Sequence, residues 1–111
     1  MKLIIIVLNR IRLLEDLLSA LLEIGVSGAT VIDSVGMGRI LSHDVPIFAG
    51  LRSAFPGTSP TNKTIFVLTE EVMVDDVLAV VDDVCGDLSE PGAGLVFVMP
   101  VELARGMGSG I

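Results

Sequence analysis

Two amphipathic helical patterns, each preceded by an apolar run of strand length, constrain the fold of this chain more than any other feature. The run "LIIIVL" leads into "RLLEDLLSALLEIG", in which leucines recur every three or four residues. Further along, "KTIFVL" leads into "EEVMVDDVLAVVDDVCG" with the same spacing of valines. We predict Asn9 and Thr69 as helix N-caps, and Gly25 and Gly86 as the residues that end the helices.

Two further strands complete the pattern. "GATVIDSVG" follows the first helix, and "GLVFVMPV" follows the second. The order β-α-β-loop-β-α-β predicts an α+β, ferredoxin-like split βαβ fold, a four-stranded antiparallel sheet with both helices on one face. We expect a single domain over residues 1–111, with a long loop within 36–62 and a flexible tail at 102–111.

The two helices cover only one face of such a sheet, so an apolar second face must be buried by something else. Strands one, three and four are apolar in consecutive positions, which is typical of strands buried on both faces. Hydrophobic residues make up 51% of the chain, more than a small domain can hide in its own core. The sequence therefore predicts an oligomer built on the open sheet face.

Charge and composition exclude several classes of partner. The net charge of −7 repels nucleic acid and anionic lipid. No apolar run approaches the roughly 18 residues of a membrane-spanning helix. A single cysteine cannot form an internal disulfide, which fits a reducing compartment, and we expect a cytoplasmic protein.

Two motifs carry a resemblance to a known family. "GVSGATVIDSVGMGR" resembles the helix, strand and "GFGR" turn of the PII nitrogen-regulatory family, and "GAGLVFVMPV" resembles its "GDGKIFV" loop and last strand. The resemblance covers nearly the whole chain. It implies a non-enzymatic, homotrimeric signalling protein that binds an adenine nucleotide (ADP, AMP or ATP) between subunits. It also implies that residues 40–62 act as a T-loop that contacts a transporter or metabolic enzyme.

The resemblance also implies which residues bind the effector: Gly36, Met37, Gly38 and Arg39 on one side of the cleft, Gly92, Ala93 and Gly94 on the other, and Arg105 in the tail. Glycines let backbone N–H groups approach an anion, and arginine offers a planar donor fork for phosphate. Taken without the family, "GMGR" is either such an anion site or a plain turn leaving a strand.

Departures from the family pattern weaken the expectation of a triphosphate. Leu95 stands where the family has a phosphate-binding lysine, Ala93 replaces an aspartate, and Ile40 replaces a glutamine. The chain also has no tyrosine, so the uridylylation known in some family members is excluded. A mono- or diphosphate, or no nucleotide, fits these residues better.

Other residues leave alternatives open. Phe48, Leu51 and Phe55 form an apolar face that either packs on its own trimer or docks a partner. His43 with Asp44 is an exposed loop pair or part of a metal site; the latter would suit a CutA-like trimer with a metal-binding or structural role, our alternative hypothesis. We favour no metal.

The remaining reactive groups fit structural roles better than chemical ones. Cys85, on the apolar helix face, is a core thiol rather than a redox group. The paired acids of the helices fit a solvated face, and no set of nucleophile, base and orienting residue is visible. We therefore predict no enzymatic activity.

Overall fold

The computed structural model of the protein describes residues 1–41, 61–90 and 92–106. Its strands form one antiparallel sheet in the order β2-β3-β1-β4. They are β1 (Lys2–Leu8), β2 (Thr30–Ser34), β3 (Asn62–Thr69) and β4 (Gly94–Pro100). This is the α+β, ferredoxin-like βαββαβ arrangement, which confirms the predicted fold class.

Two long helices and one short one connect the strands. They are α1 (Leu14–Glu23), α2 (Met37–Arg39) and α3 (Val74–Cys85). Gly25 and Gly86, at φ +99° and +76°, adopt the positive φ that glycine accepts readily, and they follow α1 and α3 as predicted. The short helix α2 lies where the sequence predicts only a turn or loop.

Both predicted N-caps are wrong, because a turn of 3-10 helix separates each strand from the long helix that follows. These turns cover Ile11–Leu13 and Glu71–Met73. Asn9 uses its side chain for a distant hydrogen bond instead. Thr69 is the last residue of β3, where it is 9% exposed.

The core lies between the helices and one face of the sheet. Its fully buried side chains come from β1, β3, α1 and α3: Ile4, Ile6, Leu8, Leu17, Leu21, Ile65, Val67, Val77 and Val81. Cys85 belongs to the same cluster at 3% exposure, which confirms its prediction as a core thiol. Burial of this apolar surface is the main stabilising contribution to the fold.

The other face of the sheet is apolar and is not covered by the described part of the chain. Because side chains alternate along a strand, Leu3, Ile5 and Val7 point away from the helices and are only half-buried. On the edge strand β4, Phe97 and Met99 lie opposite Ile5 and Leu3 and are 40% and 42% exposed. We call this surface the open face.

Several sequence predictions fall outside the described residues. The apolar face of Phe48, Leu51 and Phe55, the pair His43 and Asp44, and the tail from residue 107 onward are among them. In the described ranges, no helix is long and apolar enough to cross a membrane.

Candidate functional site

The strand register brings the two predicted glycine segments to the same end of the sheet. Gly94 lies opposite Leu8, Leu8 lies opposite Lys63, and Lys63 lies opposite Asp33. This row of residues crosses all four strands. β2 leaves it toward Gly36, and the Gly92–Gly94 segment leads into it from the other side. The two glycine segments, 56 positions apart in the chain, therefore lie at the same end of the sheet but at its two opposite edges.

The glycine turn, residues 36–39, begins with an extended residue and continues as α2. Gly36 has φ −79° and ψ 160°, and its carbonyl oxygen accepts a hydrogen bond from the Ile40 amide at 3.2 Å. Gly38 is buried, whereas Met37 is 65% exposed. The backbone of Arg39 ends α2.

The glycine loop, residues 92–94, packs tightly on β1. Gly92 and Gly94 have φ values of +72° and +137°. A Cβ atom on Gly94 would lie 2.7 Å from the carbonyl oxygen of Val7, so only glycine fits there. Ala93 is 1% exposed, and its amide donates to the Glu90 carbonyl at 3.1 Å.

Two residues directly after β1 hold the connection between α3 and β4. The Asn9 side chain donates to the Gly92 carbonyl at 3.1 Å. Arg10 donates to the Cys85 carbonyl at 3.1 Å and forms an ion pair with Glu90 at 3.2 Å. Sequence reasoning missed both roles, since nothing local to residues 9 and 10 marks partners that lie 75 or more positions away.

Two titratable groups of this connection, Cys85 and Asp87, have shifted pKa values. Burial raises the pKa of the Cys85 thiol, and the nearby Arg10 charge opposes this only in part. The thiol is therefore neutral and weakly nucleophilic. Hydrogen bonds from the Ser89 hydroxyl and amide lower the pKa of Asp87.

A cluster of uncharged polar side chains occupies the glycine end of the open face. The hydroxyl oxygens of Ser34 and Thr64 are 2.8 Å apart, and Ser34 also donates to the side-chain oxygen of Asn62. The Asn62 amide nitrogen donates to the Asn9 side-chain oxygen at 3.2 Å. All of these side chains are half-buried. Sequence analysis did not identify them, because isolated Ser, Thr and Asn residues carry no pattern of their own.

Two cations near the glycine segments, Lys63 and Arg10, are paired with carboxylates. Lys63 forms an ion pair with Asp33, and Arg10 forms one with Glu90. Leu95, which follows the glycine loop, is 55% exposed and places an apolar side chain on the open face opposite Val7. In the described ranges, no three His, Cys, Asp or Glu residues are grouped so that they could hold a metal ion.

The chain leaves β4 at the opposite end of the sheet, five residues before Arg105. Pro100 at the end of β4 lies opposite Lys2, and the Val101 amide donates to the Met1 carbonyl at 3.1 Å. A shallow pocket of about 370 Å³ lies at this end as well. Its lining is Leu3, Gly28, Ala29, Thr30, Phe66 and Leu68. The chain thus carries its glycine segments at one end of the strands and its apolar pocket at the other.

These features define a small ferredoxin-like α+β protein with one sheet face that the described residues leave uncovered, and with two glycine segments at the same end of the sheet. The family model described as Nitrogen regulatory protein P-II matches residues 1–107. The chain therefore belongs to the P-II family, which confirms the resemblance seen in its sequence. Membership supports a role as a signal-transduction regulator. No curated protein matches the chain.

Proposed function

We propose that this protein is a non-enzymatic, homotrimeric, cytoplasmic regulator that binds an adenine nucleotide in a cleft between its subunits. Residues 40–62 then contact a target, either a transporter or a metabolic enzyme, in nitrogen regulation. The observation that carries the proposal is the row from Gly94 through Leu8 and Lys63 to Asp33, since it brings the glycine turn and the glycine loop to one sheet end.

The phosphates of the effector would bind at this glycine end. Gly36 and Gly92, both half-buried, carry no side chain that would block an anion, and Arg39 supplies the charge. Arg10 and Lys63 are already engaged with carboxylates, and Leu95 adds no charge. We therefore expect ADP or AMP to bind more tightly than ATP, since the field of a chain with net charge −7 disfavours a triphosphate.

A second subunit is needed to complete the cleft. The apolar pocket at Phe66 and Ala29 suits the flat base of a nucleotide, and Arg105 follows the end of β4 on this side by five residues. Six residues of β1 separate this end from the glycine end, about 20 Å at the usual rise of a strand. One mononucleotide cannot easily reach both ends of one chain. A neighbour that presents its pocket end to the glycine end of the first chain would bring the two halves together.

The open face supports the same assembly. Leu3, Ile5, Val7, Phe97 and Met99 form a continuous apolar surface, and such surfaces usually mark an interface. Packing these faces together would remove them from water and would bring the ends of neighbouring sheets close to one another.

Effector binding would reach the target through residues 40–62. This segment leaves the glycine turn at Ile40 and re-enters the sheet at Asn62, so both of its ends adjoin the proposed phosphate site. A nucleotide can act as a signal only if it binds one state of this segment more tightly than another.

Calorimetric titration of the purified protein with ATP, ADP and AMP tests the proposal. Arg39→Ala should abolish the heat of binding or weaken the affinity at least about tenfold. Arg12→Ala is the matched control, because it removes the same charge from an exposed turn on the helix side. No heat with any of the three nucleotides, from a folded oligomer, would contradict the proposal. If both variants lose the same affinity for nucleotide, the effect comes from overall charge alone, and the assigned site is wrong.

A further inference from the structure

A chain of uncharged hydrogen bonds leads from β3 to the glycine loop, and its members lie on β2, on β3 and at the residue directly after β1. Thr64 contacts Ser34, Ser34 donates to Asn62, Asn62 donates to Asn9, and Asn9 donates to the Gly92 carbonyl. The glycine turn adjoins this chain as well, because a Cβ atom on Gly36 would lie 3.6 Å from the side-chain nitrogen of Asn62.

The hydrogen bonds of this chain all run in one direction. The Ser34 proton goes to the Asn62 oxygen, so Thr64 is the donor in its contact with Ser34. With its oxygen engaged, Asn62 presents its nitrogen to the Asn9 oxygen at 3.2 Å. Asn9 in turn can present only its nitrogen to Gly92. The orientation of each amide is therefore fixed by the preceding member, and chains of this kind reinforce one another.

We propose that Asn9, Ser34, Asn62 and Thr64 form a positioning network that sets the glycine loop according to the state of the glycine turn. The inference rests on the proposed function in identifying the two segments as halves of one ligand site. The network couples these halves within a single subunit, and its middle member, Asn62, is the first residue of β3. None of its four members is titratable.

The side-chain amide of Asn62 allows a substitution that removes one hydrogen bond and keeps another. Asn62→Asp keeps the shape and the acceptor for Ser34 but removes the donor to Asn9. The Asn9 amide then turns its nitrogen toward the new carboxylate and leaves its oxygen facing the Gly92 carbonyl, which breaks that hydrogen bond. Ser34→Ala acts one step earlier in the chain, at the donor to Asn62, and leaves the net charge unchanged.

The test measures the amide nitrogen chemical shift of Ala93, because its peptide group contains the Gly92 carbonyl. Neither Asn62 nor Ser34 shares a described hydrogen bond with Gly92. We expect Asn62→Asp and Ser34→Ala to move the Ala93 resonance, the first variant more than the second. Asp33→Asn is the matched control: it is the reverse exchange, it lies beside Ser34, and it breaks the neighbouring contact with Lys63. It should leave the Ala93 shift close to that of the wild type.

A titration with ADP extends the test to the ligand. We expect Ser34→Ala to weaken ADP binding about fivefold, through loss of a positioned loop and without any change in charge. If ADP does not bind the wild type, the proposed function fails, and the Ala93 shift still decides whether the segments are coupled. If Asp33→Asn changes the Ala93 chemical shift as much as the network variants do, the proposed network is wrong. The same follows if the shift is unchanged in both network variants.

Discussion

The side-chain nitrogen of Asn9 donates a hydrogen bond to the carbonyl oxygen of Gly92 at 3.1 Å, and the two residues are 83 positions apart in the chain. This bond fixes the loop before β4 to the end of β1. It gives Asn9 a role in the candidate site in place of the helix cap that the sequence predicts.

Replacing Asn9 should therefore cost stability. We expect Asn9→Ala to lower the free energy of unfolding by about 1–2 kcal/mol, because it leaves the Gly92 carbonyl and the Asn62 amide without this partner. Urea denaturation at fixed protein concentration measures the change. Ser19→Ala, an exposed change on α1, is the control and should have little effect. Equal stability of both variants would show that the bond contributes nothing.

Arg10 should contribute more to the free energy of unfolding than Glu90, the carboxylate with which it pairs. Arg10→Met keeps an apolar stem but loses the hydrogen bond to the Cys85 carbonyl at the end of α3, and should cost about 1–2 kcal/mol. Glu90→Gln should cost less than about 0.5 kcal/mol, since the Glu90 side chain is 60% exposed. Thermal and urea denaturation of the two variants give this ranking, and the reverse order would contradict it.

The glycine loop should not tolerate a side chain at position 94. Gly94→Ala would combine a φ of +137° with a Cβ contact of 2.7 Å to the Val7 oxygen. We expect a loss of roughly 3 kcal/mol or more. Gly25→Ala is the control: it has a positive φ of +99° but meets no atom within 4 Å, so it should cost only about 1–2 kcal/mol. Similar losses in both variants would mean that the contact with β1 is unimportant.

The Cys85 thiol should make stability depend on alkaline pH. Its folded-state pKa lies above the usual thiol range because of burial. As the pH rises past the pKa of the unfolded chain, the unfolded state loses this proton first, so stability falls. Between pH 7.5 and about pH 10, the wild type should lose more stability than Cys85→Ala does. Parallel pH profiles in urea denaturation would contradict this assignment.

A matched reactivity measurement checks the same burial. The thiol should react slowly with a thiol reagent in the native protein and rapidly in urea, because only 3% of Cys85 is exposed. Fast labelling without denaturant would contradict the core position.

The open face should be the surface through which the subunits contact one another in the oligomer. Phe97→Lys places a charge at the centre of the proposed interface and should convert the oligomer to a folded monomer, as measured by light scattering with size-exclusion chromatography. Leu22→Lys is the matched control, since Leu22 is 64% exposed on the outer side of α1. A trimer that survives Phe97→Lys, or that dissociates equally in Leu22→Lys, would contradict the use of this face.

Local sequence patterns were enough to predict the helices and strands and their order along the chain. The spacing of Leu17 and Leu21, and of Val77 and Val81, marks the buried sides of the helices, and the same residues lie in the core. Gly25 and Gly86 end the helices because both adopt a positive φ. The glycine segments were also recognisable, since motif and family resemblance depend only on the order of residues.

What the sequence by itself determined, then, was the α+β order, the family and the two glycine segments, because periodicity and motif are local properties. Only the tertiary structure decided that Gly94, Leu8, Lys63 and Asp33 share one row, and that Asn9 and Asn62 connect the two segments. The tertiary structure also shows turns of 3-10 helix where the sequence predicts helix caps. The physical reason is that strand register and side-chain hydrogen bonds join residues distant in the chain, and these partners are chosen by the packing of the whole sheet.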